Sequence, residues 1–300
     1  MANTMGMTQG ATFVPEIVAN KALGLLEAEL HLAKNVARHY EYTPAKEGDK
    51  VIVPKRGTLT ANQKTSGNAV TLQNPTADSV EVELNQHWEV TFAVEDILRT
   101  NAQGGMEIDE GYIADAIQVL AEKIETSLSN LVTSLTGTRG TAGVDITDTV
   151  LRLCRGDLST QRAPQSNRFL YLEPDQINVI LGLDKFVNAE KYGSSMPVME
   201  GEFGKVYGFR VFESLFTKAV AGSPTAKYNM AIHRDALVLA SRPLKQPKGA
   251  GVTVGYVEKN GIVMRVLYSY NADQLADQIT IDTLFGVAVL RPELGVKVLS

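Results

Sequence analysis

The stretch that decides the fold is VEVELNQHWEVTFAV, residues Val80–Val94, in which apolar and polar side chains alternate. Even-numbered positions are apolar except at Gln86, and odd-numbered positions are polar or small. A period of two predicts a β-strand with one buried face and one solvated face. At about 3.4 Å per residue this strand would span about 50 Å, against about 17–20 Å for a usual strand. A strand of that length needs something to pack against beyond one compact domain.

Composition places the chain among ordinary folded proteins of one large domain or two smaller ones. Of its 300 residues, 44% are hydrophobic and 21% are charged, and the formal net charge is −5. This acidic balance argues against tight binding of a phosphate backbone by the whole surface. We find no signal-peptide pattern and no apolar run of the roughly 18 residues that cross a bilayer. We therefore expect a soluble protein that stays in the cell that made it.

The residues before the alternating stretch suggest a long β-hairpin. GDKVIVPKR (Gly48–Arg56) has the pattern of a strand, and Pro54 within it favours an edge position or a bend. The following residues, 59–77, are rich in Thr, Asn, Gln and Ser and poor in large apolar side chains. Such a segment is too long for a tight turn and too polar for a core. Two strands joined by a polar excursion predict one extended hairpin arm.

Helical periodicity is strongest over Glu107–Leu135 and is also present over Pro15–Arg38. Apolar residues of the longer segment recur at spacings of three and four, which predicts one buried stripe. This stripe comprises Ile113, Ile117, Leu120, Ile124, Leu128, Leu131 and Leu135. Acidic residues crowd the start of the same helix, where the helix dipole favours carboxylates and explains them without a metal or acid–base role. These residues are Glu107, Asp109 and Glu110.

Short alternating elements fill the rest of the chain. RFLYLEPDQINVILG (Arg168–Gly182) predicts a strand and then a helix that Pro174 opens. Lys205–Ser214 and Tyr228–Ser241 predict further strands or strand–helix units, and the C-terminal stretch returns to strands after residue 260. Helices and strands are thus mixed along the chain.

No catalytic, cofactor or metal site emerges from the residue pattern. The four histidines are His31, His39, His87 and His233. No two of them lie at the spacing of metal ligands. Cys154 is the only cysteine, which excludes an internal disulfide and a cysteine-rich zinc site. The glycine-rich run Gly249–Gly255 lacks the third glycine of a dinucleotide fingerprint. Arg155-Gly156-Asp157 matches an adhesion tripeptide, but three residues match by chance too easily to carry weight.

The order of these pieces resembles the major capsid proteins of tailed bacteriophages, and this resemblance implies the α+β class and the Hong Kong 97-like fold. Phe13–Glu41 resembles the N-terminal arm and helix of that family, and the two predicted hairpin strands resemble the limbs of its extended loop. Ile113–Val132 occupies the place of its long spine helix. Lys205–Ser214 resembles part of its axial domain, and Thr283–Val298 resembles its closing strands.

The resemblance implies a division of the chain into five segments. These are an N-terminal arm and helix (1–47), an extended β-hairpin loop (48–95), a peripheral domain with the spine helix (96–147), an axial domain (148–244) and a return to the peripheral sheet (245–300). In such a fold the outer part of the hairpin would lie over a neighbouring subunit, and its inner part would enter the subunit's own peripheral sheet.

The resemblance also implies a function and partners. Copies of the chain would form hexamers and pentamers of an icosahedral shell that encloses double-stranded DNA, in the virion and without a cofactor or a membrane. Some members carry an N-terminal scaffold segment that a protease removes, whereas here the arm begins almost at once. Assembly in the host cytoplasm would then need a separate scaffolding protein, unless the chain is already processed, together with a portal and possible decoration proteins.

Six residues are candidates for contact between subunits on this resemblance. They are Leu59, Lys64, Val70, Leu72, Trp88 and Phe92. Trp88 and Phe92 would be anchors, or would instead fill the core of their own subunit, and the sequence favours neither alternative. Some members cross-link a lysine of the extended loop to an asparagine of a neighbour; Lys64 is suitably placed, but no acceptor can be assigned.

Two other functions fit the same residues. An encapsulin-like compartment shares the fold and encloses enzymes in place of a genome, although the long hairpin and N-terminal arm favour the phage protein. A cytosolic α+β enzyme with an unrecognised site is the alternative from a different class. An enzyme would elute as a small oligomer, whereas a shell protein would elute as a very large one.

Overall fold

The computed structural model describes residues 31–38, 50–57, 59–74, 77–96, 105–182, 205–247, 251–259 and 262–300. The helices in these ranges are α1 (His31–Asn35), α2 (Gly105–Asn130), α3 (Asp148–Thr160) and α4 (Pro174–Leu181). The strands are β1 (Lys50–Arg56), β2 (Ala77–Glu83), β3 (Gln86–Glu95), β4 (Gly137–Gly140), β5 (Arg168–Leu172), β6 (Lys205–Val206), β7 (Phe209–Glu213), β8 (Lys218–Val220), β9 (Ala226–His233), β10 (Leu237–Arg242), β11 (Val252–Lys259), β12 (Ile262–Asn271), β13 (Ala276–Val289) and β14 (Gly295–Leu299). The mixture confirms the predicted α+β class. Among the described residues, no helix combines the length and apolar character that a bilayer crossing requires.

One of the two larger sheets has seven strands in the order β4-β14-β9-β5-β7-β6, with β8 also paired to β9. Its central strand β5 is buried along its whole length. Helix α3 packs on this sheet through Leu151, Cys154 and Leu158. The helix begins at Thr147, whose hydroxyl accepts a hydrogen bond from the Val150 amide. Sheet and helix thus share the main hydrophobic core.

The other larger sheet has the order β10-β13-β12-β11, and β3 pairs with the long strand β13. The β3–β13 register runs from Glu95 opposite Ala276 to Gln86 opposite Phe285. On the inner face, Ile279 and Ile281 of β13 are fully buried, and Val90 of β3 packs against the same core. Strand β3, the second half of the stretch that opened the sequence analysis, is therefore built into the subunit's own sheet.

Helix α2 is the long helix that the apolar periodicity predicts. At about 1.5 Å per residue it is about 40 Å long, and it lies against both β3 and β13. A 3₁₀ turn at Leu131–Ser134 continues it. Six of the seven predicted stripe residues are buried, and Leu131 is partly buried against the same core. The side chains of Glu107, Asp109 and Glu110 lie outside the described residues.

A buried carboxylate joins α2 to the short helix α1. The Glu125 carboxylate accepts a hydrogen bond from the Leu32 amide at 2.9 Å, at the N-terminal end of α1, where the orphan amides of a helix favour a carboxylate. Burial nevertheless raises the pKa of Glu125 to about 7, against the lowering effects of the Leu32 and Ala33 amides and of the Arg38 charge. The predicted Pro15–Arg38 helix is wrong at its C-terminal end: it ends at Asn35, because Ala37 forms a β-bridge with Val238 of β10. Residues 15–30 lie outside the described residues.

The raised pKa of Glu125 predicts that the subunit loses stability as the pH rises. The folded state holds the Glu125 proton more tightly than the unfolded chain, so unfolding becomes easier between pH 4.5 and about 7. This effect amounts to about 3 kcal/mol across that interval. We expect Glu125→Gln to flatten the pH dependence of the free energy of unfolding, measured in urea at pH 5 and pH 8. The control is Glu122→Gln, one turn earlier on α2; equal pH dependence in wild type and Glu125→Gln would contradict the prediction.

The predicted 50 Å strand is wrong in one respect, because it is two strands. Strand β2 ends at Glu83 and pairs with β1, whereas β3 begins at Gln86 and pairs with β13. The alternation continues through the break because both strands have a buried face. Val82 and Leu84 pack in a small second cluster, whereas Val90 packs in the main core. A period of two indicates that alternate residues are buried. It does not indicate where the chain changes from one packing partner to another.

The strands of each sheet are not contiguous in sequence. Strand β10 follows β9 of the seven-stranded sheet along the chain, but it pairs with β13 of the five-stranded sheet. Strand β14 follows β13 along the chain, but it pairs with β4 and β9 of the seven-stranded sheet. The chain thus crosses between the two sheets, and local sequence does not encode these long-range pairings.

Candidate assembly surface

The two-stranded hairpin β1–β2 stands on the five-stranded sheet. Its antiparallel register runs from Lys50 opposite Glu83 to Arg56 opposite Ala77. Alternate residues of the hairpin point toward β10 and β13 and form a second hydrophobic cluster. The buried members of this cluster are Val53, Val82, Leu84, Val238, Ala240 and Leu290. The base of the hairpin is therefore anchored in its own subunit.

The opposite face of the hairpin base is charged and open to solvent. The Lys50 ammonium lies 2.9 Å from the Glu81 carboxylate and 3.0 Å from that of Glu83. Hydrogen bonding to these two carboxylates raises the pKa of Lys50. All three side chains are exposed, so this network fixes the geometry of the base more than it stabilises the fold.

The hairpin passes very close to β13 at Gly286. A Cβ atom added to Gly286 would lie 2.1 Å from the Glu83 carbonyl oxygen and 3.3 Å from the Leu84 Cα. Only glycine permits this approach, because these neighbours are backbone atoms that belong to the crossing from β2 to β3. Gly286 is not among the residues predicted for this surface, although an isolated glycine in an apolar strand is a sign of close backbone approach.

Gly286→Ala should displace the hairpin base. We expect the substitution to destabilise the subunit by about 1–3 kcal/mol, as overpacking does elsewhere, and to lower the melting temperature in differential scanning fluorimetry. Gly156→Ala is the matched control, because a Cβ added to Gly156 in α3 would have no neighbouring atom within 4 Å, and alanine favours helices. Equal melting temperatures for Gly286→Ala and wild type would show that the crossing is not tightly packed.

Beyond its base, the hairpin opens into a loop that buries none of its described residues. Every residue from 59 to 74 is exposed. Gln73 closes the loop across its width: its side-chain oxygen accepts hydrogen bonds from the Thr60 amide at 2.9 Å and the Thr60 hydroxyl at 3.2 Å. At the tip, the Asn68 amide donates to the Thr65 carbonyl, and Gly67 has a positive φ of 85°. The loop is thus ordered by bonds within itself.

Four of the six predicted contact residues lie on this loop. Leu59 and Leu72 flank the Thr60–Gln73 bonds, and their exposed fractions are 67% and 91%. Val70 is 64% exposed, and Lys64 is exposed next to the turn at the tip. Burying such apolar side chains would release about 25 cal/mol per Å². The loop therefore offers apolar contacts that its own subunit does not use.

Trp88 and Phe92 behave differently from each other. Phe92 is partly buried against the subunit's own core, with its ring 5.7 Å from that of Tyr112 on α2. Trp88 remains 41% exposed, and the Lys123 ammonium lies 5.3 Å from its ring centroid, within cation–π range. Phe92 thus contacts the core of its own subunit, and Trp88 is exposed on the surface between β3 and α2; contact of either residue with a neighbouring subunit stays a prediction.

The residues weighed for chemistry have structural partners. His87 lies 3.1 Å from the buried Asp282 carboxylate, which also accepts a hydrogen bond from Arg265 at 3.0 Å. Asp157 of the adhesion-like tripeptide lies in α3 and binds Arg139 of β4. Burial raises the pKa of the Cys154 thiol to about 12, the opposite of what a reactive thiolate needs.

The remaining candidates for chemistry lead to no site in the described part of the chain. His31 stacks on Phe212 at a ring-centroid distance of 5.4 Å, and burial lowers the pKa of His233. His39 lies outside the described residues. Among the residues that the structure describes, no group of three or more potential ligands could hold a metal ion.

A comparison with solved structures assigns the fold. The chain is similar to a structure from Mycobacterium phage Che8, with a TM-score of 0.65, 18% identity and coverage of 89% of both chains. It is also similar to the capsid of Ralstonia phage GP4, with a TM-score of 0.61, 11% identity and coverage of 89% of this chain and 87% of that one. The mature capsid of bacteriophage PhiM1 matches with a TM-score of 0.59, 14% identity and coverage of 88% and 85%.

The chain has the Hong Kong 97-like capsid fold. This confirms the predicted resemblance, and it rests on shape, since no family model and no curated sequence matches the chain. Within this fold, α2 is the spine helix and β1–β2 with residues 59–74 is the extended loop. The surface that the loop presents is therefore the candidate functional site of the protein.

Proposed function

We propose that the chain is the structural major capsid protein of a tailed bacteriophage. Copies of it would assemble into hexamers and pentamers of an icosahedral shell around double-stranded DNA. The capsid structures that it resembles over most of its length support this function. The role is structural and not enzymatic, and the place of the protein is the virion, after assembly in the host cytoplasm.

The observation that carries the proposal is the extended loop. Its base is packed in the subunit, whereas residues 59–74 are ordered by their own hydrogen bonds and expose Leu59, Val70 and Leu72. Isolated exposed apolar residues are common, but three on one projecting loop favour a partner. A neighbouring copy of the same chain is the simplest partner, because closed symmetric assemblies reuse one contact many times.

The other partners follow from the same proposal. The net charge of −5 means that the DNA is held mainly by enclosure, without sequence-specific contacts. Assembly would use a separate scaffolding protein and a portal, and decoration proteins could bind the finished shell. The division into five segments is part of the proposal.

The test is expression with and without a candidate scaffolding protein, followed by sedimentation and negative-stain electron microscopy. We expect closed shells or capsomer rings in at least one condition. A compact monomer or dimer in both conditions would overturn the proposal. Shells that enclose enzymes and no nuclease-protected DNA would instead support an encapsulin-like compartment.

A further inference from the structure

Two like charges face each other at one edge of the seven-stranded sheet. Lys205 on β6 lies directly opposite Arg210 on β7, and both side chains are exposed. The turn between these strands is Tyr207-Gly208, with φ values of 48° and 88°. Two successive positive φ values are the mark of the type I′ turn, which fixes the register of a two-residue hairpin. The backbone therefore holds the two cationic side chains next to each other.

This arrangement costs local stability, because like charges directly opposite on an antiparallel pair repel. Within the described ranges, neither side chain forms an ion pair that would relieve the repulsion. Other cations do find carboxylates: Arg139 lies 2.6 Å from Asp157, for example. A cationic pair that no carboxylate of the described ranges neutralises is available to an anionic partner on another copy.

The same chain carries a surface of opposite sign. Residues 77–96, which form β2 and β3, include six Asp and Glu residues and no Lys or Arg. Residues 205–247, which include the β6–β7 hairpin, contain seven Lys and Arg residues and two Asp and Glu residues. Glu81 and Glu83 share Lys50 within the subunit. On β3, Glu89 and Glu95 are exposed, and no ion pair joins them to the cationic pair within the described ranges.

We propose that the Lys205/Arg210 pair of one copy binds strand β3 of a neighbouring copy at Glu89 and Glu95. This inference rests on the proposed function, since it names a contact inside the shell. The two surfaces differ, so the contact is head-to-tail, and a head-to-tail contact closes into a ring when its rotation fits. Rings of this kind are what hexamers and pentamers require. Electrostatic complementarity would also steer the encounter of subunits and fix their register.

Duplex DNA is the other anionic partner that two cations could meet. The observations favour protein, because two isolated side chains on a chain of net charge −5 release few counterions, and affinity for DNA grows with their number. A strand of opposite sign, by contrast, is present on every copy. Glu89 and Glu95 lie on the same face of β3, so one neighbouring surface can contact both carboxylates.

The test compares charge reversal with charge exchange. Lys205→Glu/Arg210→Glu and Glu89→Lys/Glu95→Lys are each expected to raise the subunit concentration at which shells form by about tenfold at low salt, since each removes two attractions and adds repulsion. The combined four-residue variant should return to within about threefold of wild type. Arg155→Glu/Arg162→Glu, elsewhere on the seven-stranded half, is the control and should leave assembly unchanged.

The concentrations are measured by sedimentation, with melting temperatures to verify folding. If a reversal variant does not fold, Lys205→Gln/Arg210→Gln is tested in its place. We expect it to raise the subunit concentration for shell formation in the same direction, but by a smaller factor. The inference would be overturned if wild type forms shells and the reversal variants form them at the same subunit concentration. It would also be overturned if the combined variant needs as high a concentration as either reversal variant. The proposed function would stand in both cases. Normal assembly with loss of binding to a labelled DNA duplex would overturn it in favour of DNA. Failure of wild type to assemble at all would overturn the proposed function itself.

Discussion

Leu128→Asp should yield insoluble protein. Leu128 is fully buried in the stripe of α2, at the centre of the main core. An aspartate there would place an unpaired carboxylate in an apolar environment, at a cost of several kcal/mol, comparable with the whole stability of a domain. The neighbouring Ile124→Asp should have the same effect. Expression followed by separation of soluble and pelleted protein measures the outcome.

The matched control is Val119→Asp, on the exposed face of the same helix. It makes the same chemical change in the same helix without burying the charge, so the protein should remain soluble and folded. Soluble, cooperatively melting Leu128→Asp would show that the stripe of α2 is not core, contrary to the structure.

Replacing residues 59–74 with a short Gly-Ser turn should separate folding from assembly. No residue of this loop is buried in its own subunit, so the shortened protein should be soluble and should melt cooperatively near the wild-type temperature. Shell formation should fail, because the contacts of Leu59, Val70 and Leu72 with a neighbour would be lost. Circular dichroism melting and sedimentation measure the two properties independently.

A second variant distinguishes loop length from loop chemistry. Serine at positions 59, 70 and 72 keeps the length and the Thr60–Gln73 bonds while removing the apolar side chains. We expect this variant to assemble much more weakly than wild type. Normal shells from the shortened protein would show that the extended loop is not a clamp between subunits.

Periodicity predicted the elements whose burial is local and regular. The predicted stripe of α2 and the predicted helix that begins at Pro174 agree with the structure. In both helices, burial recurs at the regular spacing of the apolar residues. The buried face of Val80–Val94 was also predicted. Its break after Glu83 was not, since both halves bury alternate residues against different partners.

Long-range pairings and close approaches were the features that periodicity could not supply. The partners of β10 and β14 depend on contacts between residues far apart in sequence. Gly286 matters because the backbone of Glu83 crosses it, and the ring contact between Phe92 and Tyr112 joins two separate elements, β3 and α2. The exposed loop residues were predicted from the resemblance to a capsid fold, and their contacts with a neighbour remain a prediction.

The central claim is that this chain builds a shell through its extended loop. A cryo-electron-microscopy reconstruction of the purified assembly tests that claim most directly. We predict icosahedral symmetry, with hexamers and pentamers, and density for residues 59–74 lying on a neighbouring subunit with Leu59, Val70 and Leu72 in contact. Particles without icosahedral order, or a shell in which this loop projects freely into solvent, would contradict the account.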